Sequence, residues 1–261
     1  MRRCLALASS VMLALALAAC DPSGDSSTTA DTAELTVFAA SSLTAVFTDE
    51  IGPAFEGAHP GVKVVFNFAG SDALAAQIQS EGSADVFASA SGTWMDAVAG
   101  SPGVSGRADF AQNGLVIVTP TDDPAGISSI DDLADPGVQL VLAAEGVPVG
   151  DYAREALDNA GILAATEANV VSNEEDNASV VAKVAAGEAD AGIVYVSDVS
   201  GPAGNDLRSV EIPDDTNVVA TYPIGVVAGA PEQELAVEFV DYVTSTEGHA
   251  SLESYGFRPV T

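Results

Sequence analysis

The chain has 261 residues, of which 48% are hydrophobic, enough for one large domain or two smaller domains with cores of their own. Eight Lys and Arg residues stand against 38 Asp and Glu residues, which gives a formal net charge of −30. A surface this acidic excludes nucleic acid and an anionic membrane face as partners, because both would be repelled.

The first residues have the pattern of a secretory signal. Arg2 and Arg3 precede an apolar run that is too short to span a bilayer, and small residues follow it. The segment ends in "LAAC", which resembles the bacterial lipobox, in which the Cys is lipidated and becomes the first residue of the mature protein. We therefore predict a signal peptide at residues 1–19 and lipidation of Cys20. An ordinary signal peptide that happens to contain a Cys is the alternative.

The segment after Cys20 predicts a tether rather than a folded element. Residues 20–33 are small and polar without apolar periodicity, which is typical of a flexible linker. Cys4 would leave with the signal peptide, so a mature chain could form no internal disulfide. That chain would carry 6 basic and 38 acidic residues, a net charge of −32.

From Leu35 onward, strand-like and helix-like patterns alternate. The predicted strands are "LTVFA", "VKVVFNF", "ADVFAS", "GLVIVT", "VQLVLAA", "AGIVYV" and "YPIGVVAG". The predicted helices are "SLTAVFTDEIGPAFEGAHPG", "SDALAAQIQSEG", "GTWMDAVAG", "SSIDDLAD", "PVGDYAREALDNAG" and "NASVVAKVAAGEAD", with one or two more after Pro231. Such alternation predicts an α/β protein with mixed, mostly parallel sheets and helices on both faces.

Two of the strand-to-helix turns carry a serine, in "AASSL" and "FAGSDAL". Ser42 and Ser71 could simply cap the helices that follow them. A helix N-terminus also offers free N–H groups and a partial positive charge, and is therefore a ready site for an oxyanion. Two such turns at one edge of an α/β sheet could face the same ligand, because ligands bind at that edge.

The sequence offers little support for catalysis. A serine hydrolase needs a base beside its nucleophile, and neither His59 nor His249 lies in a suitable segment. No "GxSxG", P-loop or dinucleotide-binding glycine pattern is present, and one mature Cys with two distant His residues makes no zinc site. We expect no enzyme, no cofactor and no direct cation ligands. A secreted hydrolase using Ser42 or Ser71 stays as the alternative from another functional class.

Several motifs, in order along the chain, resemble those of one protein family. The run "LTVFAASSLTAVFTDEIGPAFE…VVFNFAGSDALAAQI…ADVFASASGTWMD", followed by "GVPVGDYAREAL", "GEADAGIVYVSD" and "SYGF", resembles the periplasmic molybdate-binding proteins of bacterial ABC transporters. The resemblance implies a type II, two-lobed Venus-flytrap fold with a hinge between the lobes. The first lobe would comprise residues 34–114 and 223–261, and the second lobe residues 115–222.

The resemblance also implies five donors to one tetrahedral oxyanion. The hydroxyl groups of Ser42, Ser71 and Tyr195 match three of them, and the backbone N–H groups of Val149 and Asn177 match the other two. The Asn is a departure, since this position is often apolar in the family, and the register there is open by one residue. Trp94 and Met95 are interpreted as core residues beside the hinge rather than ligand contacts.

A cage of neutral donors suits molybdate or tungstate, which are dianions near neutral pH. A protonated phosphate would leave its own proton without an acceptor, at a cost of roughly 1–3 kcal/mol. The resemblance implies a monomer that delivers its anion to a membrane permease and touches the membrane only through its lipid anchor, outside the cytoplasm. Sulfate or another tetrahedral oxyanion in the same fold stays an alternative, and so does a surface lipoprotein with an adhesive role.

Overall fold

The computed structural model describes residues 32–200 and 202–260. The predicted signal peptide, Cys20 and the predicted tether up to residue 31 lie outside the described residues. Strand β1 begins at Ala33, which was the last residue assigned to that tether. Within the described residues, every helix is too short or too polar to cross a bilayer.

Strands and helices alternate along most of the chain. The strands are β1 (Ala33–Ala40), β2 (Val62–Ala69), β3 (Val86–Ala88), β4 (Val104–Pro120), β5 (Leu140–Ala143), β6 (Val170–Glu174), β7 (Ala191–Tyr195), β8 (Leu207–Glu211) and β9 (Val219–Val227). The α-helices are α1 (Thr44–Val46), α2 (Gly52–Ala58), α3 (Ser71–Glu81), α4 (Gly92–Gly100), α5 (Pro148–Asn159), α6 (Leu163–Thr166), α7 (Asn177–Ala185), α8 (Val196–Ser200), α9 (Gln233–Val243) and α10 (Thr246–Ser254). A 3-10 turn at Ser41–Leu43 and a π-helical turn at Phe47–Ile51 join α1 and α2 into one continuous helical segment.

The strands form two sheets that share β4. The first sheet has the order β2-β1-β3-β9-β4, and the second contains β4, β7, β5 and β6 with β8 beside β4. Pairing on β4 changes between Gly114 and Leu115, from β9 to β7. The predicted lobe boundaries, 34–114 plus 223–261 and 115–222, stay a prediction.

The sheets are less parallel than the sequence predicted. Strand β1 is parallel to β2 and β3, and β5 is parallel to β6 and β7. The pairs β3–β9, β4–β9, β4–β7 and β4–β8 are antiparallel. Every antiparallel pair contains β4 or β9. These two long strands run in opposite directions beside each other where the two sheets meet, so they pair in antiparallel orientation with each other and with β3, β7 and β8.

Strand β4 is also longer than predicted. Its first half was missed because apolar and polar residues do not alternate there. Residues 104–109 are exposed or half-buried, and the register against β9 shifts between Ser105 and Ala108 and between Asp109 and Ala111. Each irregularity breaks the two-residue period on which a strand prediction depends. Pairing with β9 stabilises this segment instead. The short strands β6 and β8 were missed for a similar reason, since each is only partly buried.

The segment "SSIDDLAD" forms only a 3-10 turn, Asp131–Ala134, where a helix was predicted. The carboxylate of Asp132 accepts hydrogen bonds from the backbone N–H groups of Ser128 and Ser129, at 2.8 and 2.9 Å. These local bonds compete with helix propagation, as is common for Asp beside Ser.

Helices cover both faces of the sheets, as predicted. In β1, Leu35, Val37 and Ala39 belong to the main core, whereas Phe38 packs on the opposite face in a smaller core with helices α3 and α4. In the second half, α7 lies close on β7: a Cβ atom added to Gly192 would come within 2.7 Å of the Val180 side chain. Glycine at this position therefore fixes how near the N-terminus of α7 comes to the sheet.

Candidate functional site

The carboxyl ends of strands from both sheets meet around a small cavity, which we call the inner cavity. Its enclosed volume is small, about 10 Å³. It is lined by Ser41, Ala69, Gly70, Ser71, Ala90, Val147, Pro148, Val149, Asn177 and Tyr195. None of these lining residues has a charged side chain. Four of them, Ser41, Ser71, Val149 and Asn177, stand at the start of a helical segment, so the partial positive ends of four segments converge here.

Ser71 contributes a hydroxyl group from the first residue of α3. It is buried, and its oxygen accepts a hydrogen bond from the backbone N–H of Ala90 at 3.0 Å. No residue in the described part of the chain accepts the proton of this hydroxyl group. The orientation therefore leaves Ser71 free to donate into the cavity.

Val149 and Asn177 each bring a backbone N–H from the first turn of a helix, where no intrahelical acceptor exists. No side chain caps α5, which begins at Pro148. At α7 the carboxylate of Asp176 accepts from the N–H of Ser179 at 2.8 Å. That cap leaves the N–H of Asn177 available to a ligand.

Tyr195 ends strand β7, and its hydroxyl oxygen is buried without a hydrogen-bond partner among the described residues. Buried hydroxyl groups are nearly always paired, so an unpaired one at a cavity wall indicates a ligand position. Burial raises the pKa of Tyr195 well above its usual value. The group is therefore a neutral hydrogen-bond donor at physiological pH.

In the first loop, the serine at the inner cavity is the neighbour of the predicted ligand residue, and the ligand role of Ser42 stays a prediction. Ser41, not Ser42, lines the inner cavity. The hydroxyl group of Ser42 pairs with that of Tyr222 at 2.9 Å, and Ser42 faces a larger, outer pocket of about 400 Å³. The sequence could not separate the two, because both serines stand between the same strand and the same helical segment. Ser71, Val149, Asn177 and Tyr195 all lie at the inner cavity; their role as donors to an anion stays a prediction.

Sequence reasoning missed the contacts behind the inner cavity. The side-chain amide of Asn177 donates to Asp198 at 2.6 Å and accepts from the hydroxyl group of Ser41. Asp198 lies on the wall of the outer pocket, together with Ser41, Ser42 and Asn177. Nothing in the local pattern "YVSD" marks this Asp, because its partner is 21 residues away in the chain.

Trp94 and Met95 lie outside the inner cavity, in agreement with their interpretation as non-ligand residues. Met95 is fully buried in the smaller core. Trp94 is half-buried, and its indole N–H donates to the carbonyl oxygen of Gly146 at 2.8 Å. This bond joins helix α4, which packs on the first sheet, to the loop before α5 of the second half.

Comparison with known proteins identifies the family. The family described as bacterial extracellular solute-binding protein matches residues 35–258. The molybdate-binding protein ModA of Mycobacterium tuberculosis is 39% identical over 253 residues, which cover 95% of each chain. The chain belongs to the ModA family. The resemblance stated from the sequence is confirmed, and family membership makes this an extracytoplasmic solute-binding protein rather than an enzyme.

Solved structures confirm the predicted two-lobed fold. The periplasmic molybdate-binding protein of Azotobacter vinelandii superimposes with a TM-score of 0.76 at 18% identity, over 87% of this chain and all of that one. The sulfate-binding protein SubI of Mycobacterium tuberculosis gives a TM-score of 0.74 at 18% identity, over 87% of both chains. At such identities the likeness establishes the fold alone.

The hydrolase alternative has no base at the site. The ring of His59 stacks on Phe55 with centroids 4.0 Å apart and pairs with Glu238. His249 lies on helix α10. Neither histidine lines the inner cavity or the outer pocket. Within the described residues, no cluster of His, Cys, Asp or Glu is arranged to hold a metal ion.

Proposed function

We propose that this protein captures molybdate in the inner cavity and delivers it to the permease of an ABC transporter. The observation that carries the proposal is a cavity wall of neutral donors, among which the hydroxyl group of Tyr195 has no protein partner. Neutral donors and helix N-termini can bind a dianion without a buried counter-charge, and thus without the desolvation cost of an ion pair.

The proposed contacts are the hydroxyl groups of Ser71 and Tyr195, the N–H groups of Val149 and Asn177, and a hydroxyl group of the first loop. They come from strand ends of both sheets. An anion held by both halves stabilises the closed arrangement through contacts that the open arrangement lacks. Tungstate, which has the same shape and charge, is expected to bind at the same place.

Membrane attachment through lipidated Cys20 is part of the same proposal. The "LAAC" pattern supports it, and the tether before Ala33 would hold the folded part near a permease. A monomer is proposed, because one chain supplies all of the proposed donors.

Sulfate is the competing ligand, since it is also a tetrahedral dianion that accepts from the same donors. The fold is shared with a sulfate-binding protein, so the fold does not discriminate between the anions. Discrimination would depend on the size of the inner cavity, because a smaller anion cannot reach donors on both sides at once.

Calorimetric titration tests the proposal. The chain from Thr32 onward, which forms one compact unit, is titrated separately with molybdate, tungstate, sulfate and phosphate. We expect sub-micromolar binding of molybdate and tungstate at a single site, with no binding of phosphate and weaker or no binding of sulfate. Equal affinity for sulfate and molybdate, or no binding of molybdate, would contradict it.

The first loop has its own prediction. Alanine substitution of Ser41 is expected to lower molybdate affinity more than substitution of Ser42, because Ser41 lines the inner cavity and Ser42 pairs with Tyr222. A lost hydrogen bond to a charged group corresponds to about a tenfold change or more. Titration of S41A and S42A at a pH of about 6 measures both effects. A larger loss of affinity in S42A would show that Ser42, which the sequence resemblance indicated, is the ligand residue of this loop.

A further inference from the structure

The side-chain amide of Asn177 stands between Ser41 and Asp198. Its Nδ2 donates to one carboxylate oxygen of Asp198 at 2.6 Å, and its Oδ1 accepts from the hydroxyl group of Ser41. The other oxygen of Asp198 accepts from the backbone N–H of Tyr195 at 2.9 Å. An ionised carboxylate can only accept, so the amide must turn its NH2 group toward Asp198 and its oxygen toward Ser41.

This orientation removes a donor from the inner cavity. A serine hydroxyl group has one proton, and that of Ser41 is committed to Asn177. The oxygen of Asn177 is in addition an acceptor at the cavity wall, which repels an anion. Both effects weaken anion binding by the first loop as long as Asp198 is ionised.

We propose that Asp198 is a positioning residue which decides, through the amide of Asn177, whether Ser41 donates to the bound anion. When its carboxylate takes up one proton from solvent, the new O–H donates to Oδ1 of Asn177 and the amide reverses. Nδ2 then faces the oxygen of Ser41, and the proton of Ser41 turns to the anion. The inference rests on the proposed function, because it requires an anion in the inner cavity.

The surroundings of Asp198 favour this protonation near neutral pH. Burial raises the pKa of Asp198 to about 7, against the opposing hydrogen bonds from Tyr195 and Asn177, and the carboxylate of Asp176 adds to the rise. Tyr195 and Tyr222 also face Asp198, and burial keeps both neutral by raising their pKa values. In the described part of the chain, no Lys or Arg forms an ion pair with Asp198.

The sign of the pH dependence follows from charge. A dianion in the inner cavity raises the pKa of Asp198 above its value in the free protein, because like charges repel. Binding is then accompanied by proton uptake, so affinity increases as the pH falls through about 7. Molybdate itself stays a dianion near neutral pH, so that a change in affinity there reports on the protein.

The substitution Asp198→Asn tests the proposal, because it is expected to increase the affinity for molybdate at high pH. In the variant the side-chain oxygen can still accept from Tyr195, while the NH2 group donates to Oδ1 of Asn177 and holds the amide in its reversed orientation. Molybdate affinity of the chain from Thr32 onward is measured by calorimetry from about pH 6 to about pH 9. The wild type is expected to bind about tenfold tighter at the lower limit, and D198N to bind tightly at every pH.

Two further variants separate the mechanism from a general charge effect. D176N removes a carboxylate that faces Asp198 but lies outside the hydrogen-bond chain, and Asn still caps a helix. It is expected to keep a pH-dependent affinity, with the midpoint shifted to lower pH because a carboxylate that raises the pKa of Asp198 is gone. N177A removes the amide, frees the proton of Ser41 and is expected to bind with little pH dependence, so it also serves if D198N folds poorly.

The outcomes distinguish this inference from the proposed function. If the wild type does not bind molybdate at any pH, the proposed function itself fails. If the wild type binds equally well across the range, or if D198N binds more weakly than the wild type, only the role of Asp198 is overturned. The role of Asp198 is also overturned if D176N gains as much affinity as D198N. Removal of any nearby negative charge would then explain the gain, without a reversal of the Asn177 amide.

Discussion

Substitution of Tyr195 by Phe should lower molybdate affinity by about tenfold to a hundredfold without destabilising the fold. The lost interaction is a hydrogen bond to a charged ligand, worth about 1.5–3 kcal/mol. The hydroxyl group of Tyr195 has no protein hydrogen-bond partner among the described residues, so its removal breaks no hydrogen bond within the protein. The free energy of unfolding should stay the same or increase, because an unpaired buried hydroxyl group is itself costly. Calorimetric titration and urea unfolding measure the two quantities.

Tyr222 is a matched control. It is another fully buried tyrosine, and its ring lies edge-on to that of Tyr195 with centroids 5.8 Å apart. Its hydroxyl group pairs with Ser42 at 2.9 Å, so Tyr222→Phe should cost about 0.5–1.5 kcal/mol of stability with a smaller change in affinity. Unchanged affinity in Y195F, or an equal loss of affinity in Y222F, would show that the Tyr195 hydroxyl group does not contact the anion.

Substitution of Gly150 by Ala should reduce both stability and affinity. Gly150 lies in the first turn of α5, directly after Val149. An added Cβ would meet the backbone oxygen of Ala144 and would lie 2.5 Å from that of Ala143, so the start of the helix must shift away from β5. Such overpacking costs about 1–3 kcal/mol of unfolding free energy. The shift also moves the N–H of Val149, so molybdate affinity should decrease in the same titration.

Gly57 provides the matched control, because it is a helical glycine in α2 with an open environment. An added Cβ would meet no atom within 4 Å, and the residue is exposed. Gly57→Ala should therefore leave affinity unchanged and raise the free energy of unfolding by up to about 1 kcal/mol, through helix propensity alone. If G150A were as stable and as active as G57A, the close contact of α5 with the end of β5 would not be needed for the site.

Local pattern predicted most of the elements, because their apolar residues follow a regular period. Strands β1 and β7, which lead to Ser41 and Tyr195, are mostly buried apolar runs, and α3, α5 and α7 begin close to the predicted positions. The prediction was wrong in two places for different reasons. The first half of β4 lacks a regular apolar period and is held by pairing with the distant β9, whereas "SSIDDLAD" is closed by local side-chain hydrogen bonds that compete with a helix.

Some residues of the site could be predicted from sequence motifs, and others could not. A resemblance carried by sequence motifs brought Ser71, Val149, Asn177 and Tyr195 together before any geometry was available, since each stands at the end of a recognisable strand. The choice between Ser41 and Ser42 could not follow from the sequence, because adjacent residues at a turn differ only in direction. Asn177 and Tyr222, their side-chain partners, are 136 and 180 residues away.

The sequence by itself therefore determined most of the elements and the family, since hydrophobic period and turn residues are local properties. Only the tertiary structure decided which hydroxyl groups are free to donate. That depends on which acceptors the two halves place next to each serine, and in particular on Asp198, whose carboxylate orients Asn177 across a contact that no local pattern encodes. The direction of each hydrogen bond depends on the whole network of donors and acceptors, and this network forms only in the folded protein.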